Sequence, residues 1–242
     1  MAKLRSSNIE PSTATTLALG ASSDSILISS DSLKANTWQD LGGNSLFVSN
    51  GSGTLSSVNS SLQGGGYTLL ATNTISSAVS ETSFTTLIDS TYDEYVWVCS
   101  SMHCTSDAAF QFQVSSDGGS AYGMTITSNY FTAHHYENDT SSGLALDNSG
   151  ELYQSTSYQM LGVSIGGGAD EGISTILHLF SPASTTYTKQ FIAEGNLYAQ
   201  SDYTQNVFVG GYVNSTTAIN AINFKYTTGS IDGGVIQMYG VA

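Results

Sequence analysis

From Tyr67 onward, apolar residues alternate with polar ones in short runs: YTLLAT, SFTTLID, EYVWVCS, AAFQFQVS, GMTIT, YFTAHHY, SYQMLGVSI, GISTILHLFS, TTYTKQFIAEGNLYAQ, QNVFVGGYV, AINAINFKY and GGVIQMYGV. Side chains of a strand point to its two faces in turn, so each run reads as a strand with one face toward a core. Between the runs lie DSTYD, SSDGGSAYG, ENDTSSG, GGGADEG, SPASTT and TTGSIDGG, all rich in turn formers. About a dozen short strands, near-regular turns and no long helical pattern predict an all-β fold, an antiparallel β-sandwich of jelly-roll type over 67–242.

The stretch FQFQVSSDGGSAYGMTI, 110–126, carries the sharpest local pattern. Phe110, Phe112 and Val114 share one face, with Gln111, Gln113 and Ser115 on the other, which predicts a half-buried antiparallel strand. Asp117, Gly118 and Gly119 then predict a tight hairpin turn, because Gly adopts positive φ without steric cost. The final run, Ile231 to Ala242, is apolar enough to be an interior strand or to lie at a subunit contact.

Residues 1–63 have a different texture. Their apolar residues come in tufts (Leu17 and Leu19, Ile26 and Ile28, Leu46 to Val48, Leu55 and Val58), each too small to form a core. They predict an extended attachment and oligomerisation segment in which GGNSLFVSNGSGTLSSVNSSL reads as strand, Asn-Gly turn, strand. Gly64 to Gly66 read as a hinge before the sandwich domain.

Composition narrows the partners. Only 10% of the 242 residues are charged, and five Lys+Arg stand against 19 Asp+Glu, a net charge of -14. Such a chain repels phosphate backbones and anionic membranes, which argues against nucleic acid and membrane partners. No Lys or Arg occurs between Lys34 and Lys189, which argues against phosphoryl transfer. No apolar run approaches the ~20 residues of a bilayer span. MAKLRSSNIEPSTATTLALGASS lacks the continuous ~7–15 residue apolar stretch of a secretory leader, so release without a signal peptide is expected.

Candidate chemistry is thin. CSSMHC brings His103 between Cys99 and Cys104, but a closed zinc site needs four ligands and no second Cys/His cluster exists. Cys99 reads as a small core residue, and pairing of Cys99 with Cys104 stays open. His134 and His135 are adjacent in a strand and so face opposite ways. The adjacent carboxylates Asp93-Glu94 and Asp170-Glu171 do not match a glycosidase pair, and there is no G-x-S-x-G elbow and no D-x-[DN]-x-[DN]-G calcium loop. The expectation is therefore a non-enzymatic protein without metal or cofactor. Its 14 tyrosines suit protein interfaces and sugar faces. Binding residues sit on loops held by a rigid scaffold. The candidate recognition residues are Asp117 and Tyr122, Asn138 and Asp139, and Asp170 and Glu171.

AFQFQVSSDGGSAYG, LIDSTYDEYVWVCSSMH, SPASTTYTKQFIAEG and GSIDGGVIQMYGVA, preceded by LGGNSLFVSNGSGTLSSVNSSL, resemble the globular domain and linker of tail-fibre-like virion structural proteins of marine tailed bacteriophages, of the cyanophage and pelagiphage type. The resemblance runs from about Trp38 to Ala242. It implies a virion component, a homo-oligomer with a trimer favoured, attachment to other virion proteins through the N-terminal segment, and recognition of a host-surface glycan or protein. It supplies no catalytic residues. The short N-terminal segment leaves a capsid decoration or head-fibre role as the alternative, and a carbohydrate-binding module as a second one.

Overall fold

The computed structural model describes residues 37–39, 44–49, 52, 55–58 and 66–241. The tufts at Leu17, Leu19, Ile26 and Ile28, and Gly64 and Gly65 of the hinge, lie outside the described residues. The chain divides into two units, 1–64 and 65–242. In the first, β1 (Thr37–Gln39), β2 (Ser45–Ser49) and β3 (Leu55–Val58) form an antiparallel meander. Trp38 pairs with Phe47 across β1 and β2, their rings 5.6 Å apart, and Phe47 is the backbone register partner of Val58 on β3.

The second unit holds β4 (Tyr67–Ile75), β5 (Glu81–Phe84), β6 (Glu94–Cys104), β7 (Ala108–Ser115), β8 (Ile126–Tyr136), β9 (Ser142–Leu146), β10 (Gln159–Ile165), β11 (Gly172–Phe180), β12 (Lys189–Ala199), β13 (Tyr203–Val213), β14 (Ala221–Tyr226) and β15 (Ile231–Val241). All pairings are antiparallel. One sheet runs β4-β15-β6-β11 and the other β5-β14-β7-β10, the two four-stranded layers of a jelly roll. Two inserted pairs, β8 with β9 and β12 with β13, extend the first sheet to the order β4-β15-β6-β11-β12-β13-β8-β9. A single bridge, Ile165 to Ala199, joins β10 to β12 and closes one side of the sandwich.

Alternation builds the core. Along β12 every other residue is buried, so Phe191, Ala193 and Leu197 point in while Ile192, Glu194 and Asn196 point out. Phe191 meets Phe112 of the opposite sheet edge to face at 5.3 Å, and Phe224 of β14 lies 5.9 Å from Phe110 and 6.4 Å from Trp97. Such aromatic pairs add about 0.5–1.5 kcal/mol each beyond the area they bury. As its apolar pattern requires, β15 is an interior strand, between β4 and β6. Cys99 and Cys104 are both buried and both free.

Two expectations for 110–126 are corrected. First, β7 is buried at every position, Gln111 and Gln113 included. The face opposite the core is roofed by the 116–125 and 147–158 loops, and Gln113 Nε2 donates to the carbonyls of Met124, Thr156 and Ser157 at 3.1, 3.2 and 2.8 Å. Second, the Asp117-Gly118-Gly119 turn does not fold β7 back onto the next strand. Both glycines have positive φ, 74° and 86°. However, β10 and β14 already occupy the two edges of β7, so the 116–125 loop crosses to the other sheet, where β8 pairs with β13 and β9.

Candidate functional site

The jelly roll segregates its loops to two ends. The 76–80, 105–107, 166–171 and 227–230 connections, with the 137–141 and 200–202 turns of the inserted pairs, lie at one end. The 85–93, 116–125, 147–158, 181–188 and 214–220 segments lie at the other. Tyr67 and Val241 are register partners at this second end, so the chain enters and leaves the sandwich there. The six candidate residues are therefore divided: Asn138, Asp139, Asp170 and Glu171 are at the first end, and Asp117 and Tyr122 at the second. No single surface brings all six together.

Local geometry separates them further. Asp117 organises its own turn: Ser115 Oγ donates to its Oδ1 at 2.6 Å and the Ala121 N–H donates to it at 3.0 Å. These bonds, the Ser115 hydroxyl first, hold its carboxyl below the usual carboxylate range. Tyr122 is half-buried, and its ring tip lies where a side chain at Gly119 would be, with a Cβ there only 2.7 Å from its hydroxyl. Asn138 caps the 137–141 turn by accepting from the N–H of Thr140 at 3.1 Å. Asp139, at φ 59°, accepts from His135 Nε2 at 2.9 Å on the exposed surface. Glu171 folds under Gly166 to Gly168 and accepts from the Gly168 N–H; a Cβ at Gly166 or Gly168 would collide with its carboxyl. Asp170 alone among the six presents an exposed carboxylate with no hydrogen-bond partner among the described residues.

The best-organised polar cluster is one that sequence reasoning missed. His103, near the end of β6, places Nδ1 2.5 Å from Asp232 Oδ1 on β15 and Nε2 2.7 Å from the Gly168 carbonyl. Both partners are acceptors, so the geometry favours a ring protonated on both nitrogens. The Asp232 bond foremost, then the Gly168 carbonyl, pushes the His103 pKa up, with Glu171 adding to it. With both nitrogens occupied, His103 has no free lone pair for base catalysis; it clasps the 166–171 loop to β6 and β15. Ser106 backs the same loop, where a Cβ at Gly167 would approach its Cα to 2.8 Å. No local motif announces this cluster, because its members are 129 and 65 residues apart in sequence.

Two adjoining depressions mark this end. One, of about 450 Å³, is lined by Ser101, His103, Asp170, Glu171, Asn196 and Tyr198, and the other by His135, Glu137, Asn196, Tyr198 and Thr204. Tyr198 stands between them, its hydroxyl donating to Asp202 Oδ1 at 3.2 Å and its pKa pushed up to about 12 by desolvation and that carboxylate. The end is anionic, with Asp107, Glu137, Asp139, Asp170, Asp202 and Asp232. Neither lysine of 66–241 offsets them there. Lys189 is fully buried and donates to the Ser215 carbonyl at 3.1 Å, and Lys225 lies over the Tyr158 ring at 3.9 Å. Among the described residues no group of three or more His, Cys, Asp or Glu could hold a metal ion, and no helix is long and apolar enough to cross a membrane.

In comparison with known proteins, the chain matches no family model, no curated protein and no solved structure. The class is therefore set by strand order alone: an all-β jelly-roll sandwich widened on one sheet by two strand pairs.

Proposed function

We propose that this chain is a non-enzymatic structural component of a bacteriophage particle, of the tail-fibre kind, attached through residues 1–63 and presenting its jelly-roll domain to a host surface. The observation that carries the reading is polarity of the fold: Tyr67 and Val241 pair at one end, and the loops of the other end stand clear of the chain's entry and exit. A domain tethered at one end displays the opposite one, and rigid strands hold displayed loops at fixed spacing. The displayed end offers carboxylates, amides and Tyr198, which suit sugar hydroxyls and cationic protein surfaces. The clasp at His103 has no free ring nitrogen, in keeping with recognition rather than turnover.

The test is quantitative mass spectrometry of purified particles from the producing lysate, followed by competition of the full chain with those particles for host cells. A few copies per particle and inhibition of adsorption by the wild-type chain, lost in Asp170→Lys, are expected. Scores to hundreds of copies without competition would move the chain to capsid decoration, and absence from particles would overturn the reading.

A further inference from the structure

We infer that the outer face of the eight-stranded sheet is where copies of this chain associate with one another. Strand register assembles this face from widely separated segments. Phe131 and Phe208 stack at 5.0 Å, and Leu146 continues their row on β9. At the other side Tyr67 and Tyr239 meet edge to face at 5.7 Å, beside Leu69. Between them Ile192 and Ile176 flank His178 and Glu194.

Exposed apolar side chains concentrate here. Tyr67, Leu69, Leu144, Leu146, Ile176 and Ile192 are 57%, 52%, 73%, 71%, 42% and 55% exposed, and they make up most of the large exposed hydrophobics of the described residues. Exposed apolar side chains gathered on one face of a sheet mark an interaction site. Both edges of the sheet are also unguarded. SGLAL of β9 and YTLLATNTI of β4 contain no charge and no proline, the usual devices against pairing with another strand.

Charge makes this face the one on which two copies can meet. The chain carries -14, so two copies repel wherever their carboxylates meet. Glu94, Glu194 and Asp232 are the carboxylates that the strands carry on this face, and Glu94 and Asp232 are already held by His178 Nδ1 and His103 Nδ1, each at 2.5 Å. Both loop ends, by contrast, bristle with acids, so the sheet face is the approach that acidic copies tolerate. Size fits as well: seven strand spacings of ~4.8 Å by about nine residues of ~3.3 Å make a face of roughly 1,000 Å², against ~800 Å² per partner in a standard interface.

The test is light scattering on the full chain after gel filtration. The wild type is expected at a multiple of 25.4 kDa. Ile176→Glu combined with Ile192→Glu should raise the apparent dissociation constant by at least about a hundredfold and return the mass to that of one chain. Tyr187→Glu, an exposed aromatic on the 181–188 segment, should leave the assembly intact. Raised salt should preserve or strengthen it, because screening relieves the repulsion. Should the double variant fail to fold, Ile192→Cys reports instead: Cys99 and Cys104 are buried, so a flexible bis-maleimide should join two chains through position 192 alone. A wild type that stays at the mass of one chain, or cross-linking no better at 192 than at Tyr187→Cys, would overturn the inference. The host-recognition reading has its own readout in adsorption and survives that result.

Discussion

Gln111 and Gln113 lie two residues apart on one face of β7, yet their replacement by leucine should have opposite results. Gln113 is fully buried. Its Nε2 faces the carbonyls of Met124, Thr156 and Ser157, and its Oε1 accepts from the Val114 N–H at 2.8 Å. The amide has two protons, so it satisfies two of those carbonyls fully, and the Oε1 bond makes a third interaction. Removing three bonds at about 1 kcal/mol each, and leaving the buried Val114 N–H unmatched at about 1–2 kcal/mol, costs about 4–5 kcal/mol. The buried leucine returns about 1 kcal/mol. The net loss for Gln113→Leu is thus about 3–4 kcal/mol, or about 6–16 °C in Tm for a unit of this size. Gln111 is also buried, at 8% exposure, but its side chain makes no hydrogen bond with the described residues. Gln111→Leu should stay within about 0.5 kcal/mol of the parent. Urea unfolding followed by Trp97 fluorescence, with thermal melts beside it, measures both. Equal shifts for the two variants, or a Gln113→Leu loss below about 1 kcal/mol, would refute the claim that Gln113 pins the roof over β7.

Three further outcomes are expected. The His103 pKa is raised in the folded state, so the clasp contributes fully below the ~6.5 of an unfolded histidine and fades as pH rises through the folded value. His103→Gln should therefore lower Tm more at pH 5.5 than at pH 9, and the reverse ordering would contradict an imidazolium held by Asp232 and Gly168. Burial pushes the thiols of Cys99 and Cys104 up, so neither should react with Ellman's reagent until denaturant is added. Deleting Ile231 to Ala242 removes the strand between β4 and β6 and with it Ile236 and Met238 of the core, so the truncated chain should lose its cooperative melt.

Much of the architecture was legible because strand periodicity is local. The alternation in KQFIAEGNLYA became the alternating burial of β12, and the apolar C-terminal run became an interior strand. What failed depended on partners distant in sequence. GMTIT and YFTAHHY merged into the single strand β8, since β13 supplies one unbroken partner from Tyr203 to Val213. SGLAL carries no strand in the sequence reading, its Ser142 and Gly143 falling in the ENDTSSG turn, because its strand character comes from pairing with Phe131 to His135 and not from burial. SFTTLID was placed too late, because β14 selects Glu81 to Phe84. For recognition residues the limit was sharper. Sequence can mark a loop as polar, but it cannot tell that Asp117 and Glu171 spend their carboxyls on their own turns, or that Asp232 completes a clasp with a histidine 129 residues away.

The pairing of Tyr67 with Val241 also makes the domain a portable cassette. Antiparallel neighbours stand about 5 Å apart, the same gap that a two-residue turn bridges between the arms of any hairpin. Spliced into such a turn, residues 67–241 would leave the host's two arms in register and project as a single knob. The same closeness permits rewiring: a short Gly-Ser bridge from 241 to 67, with new ends opened at 200–202, would turn the display end into the point of attachment and expose the opposite loops instead.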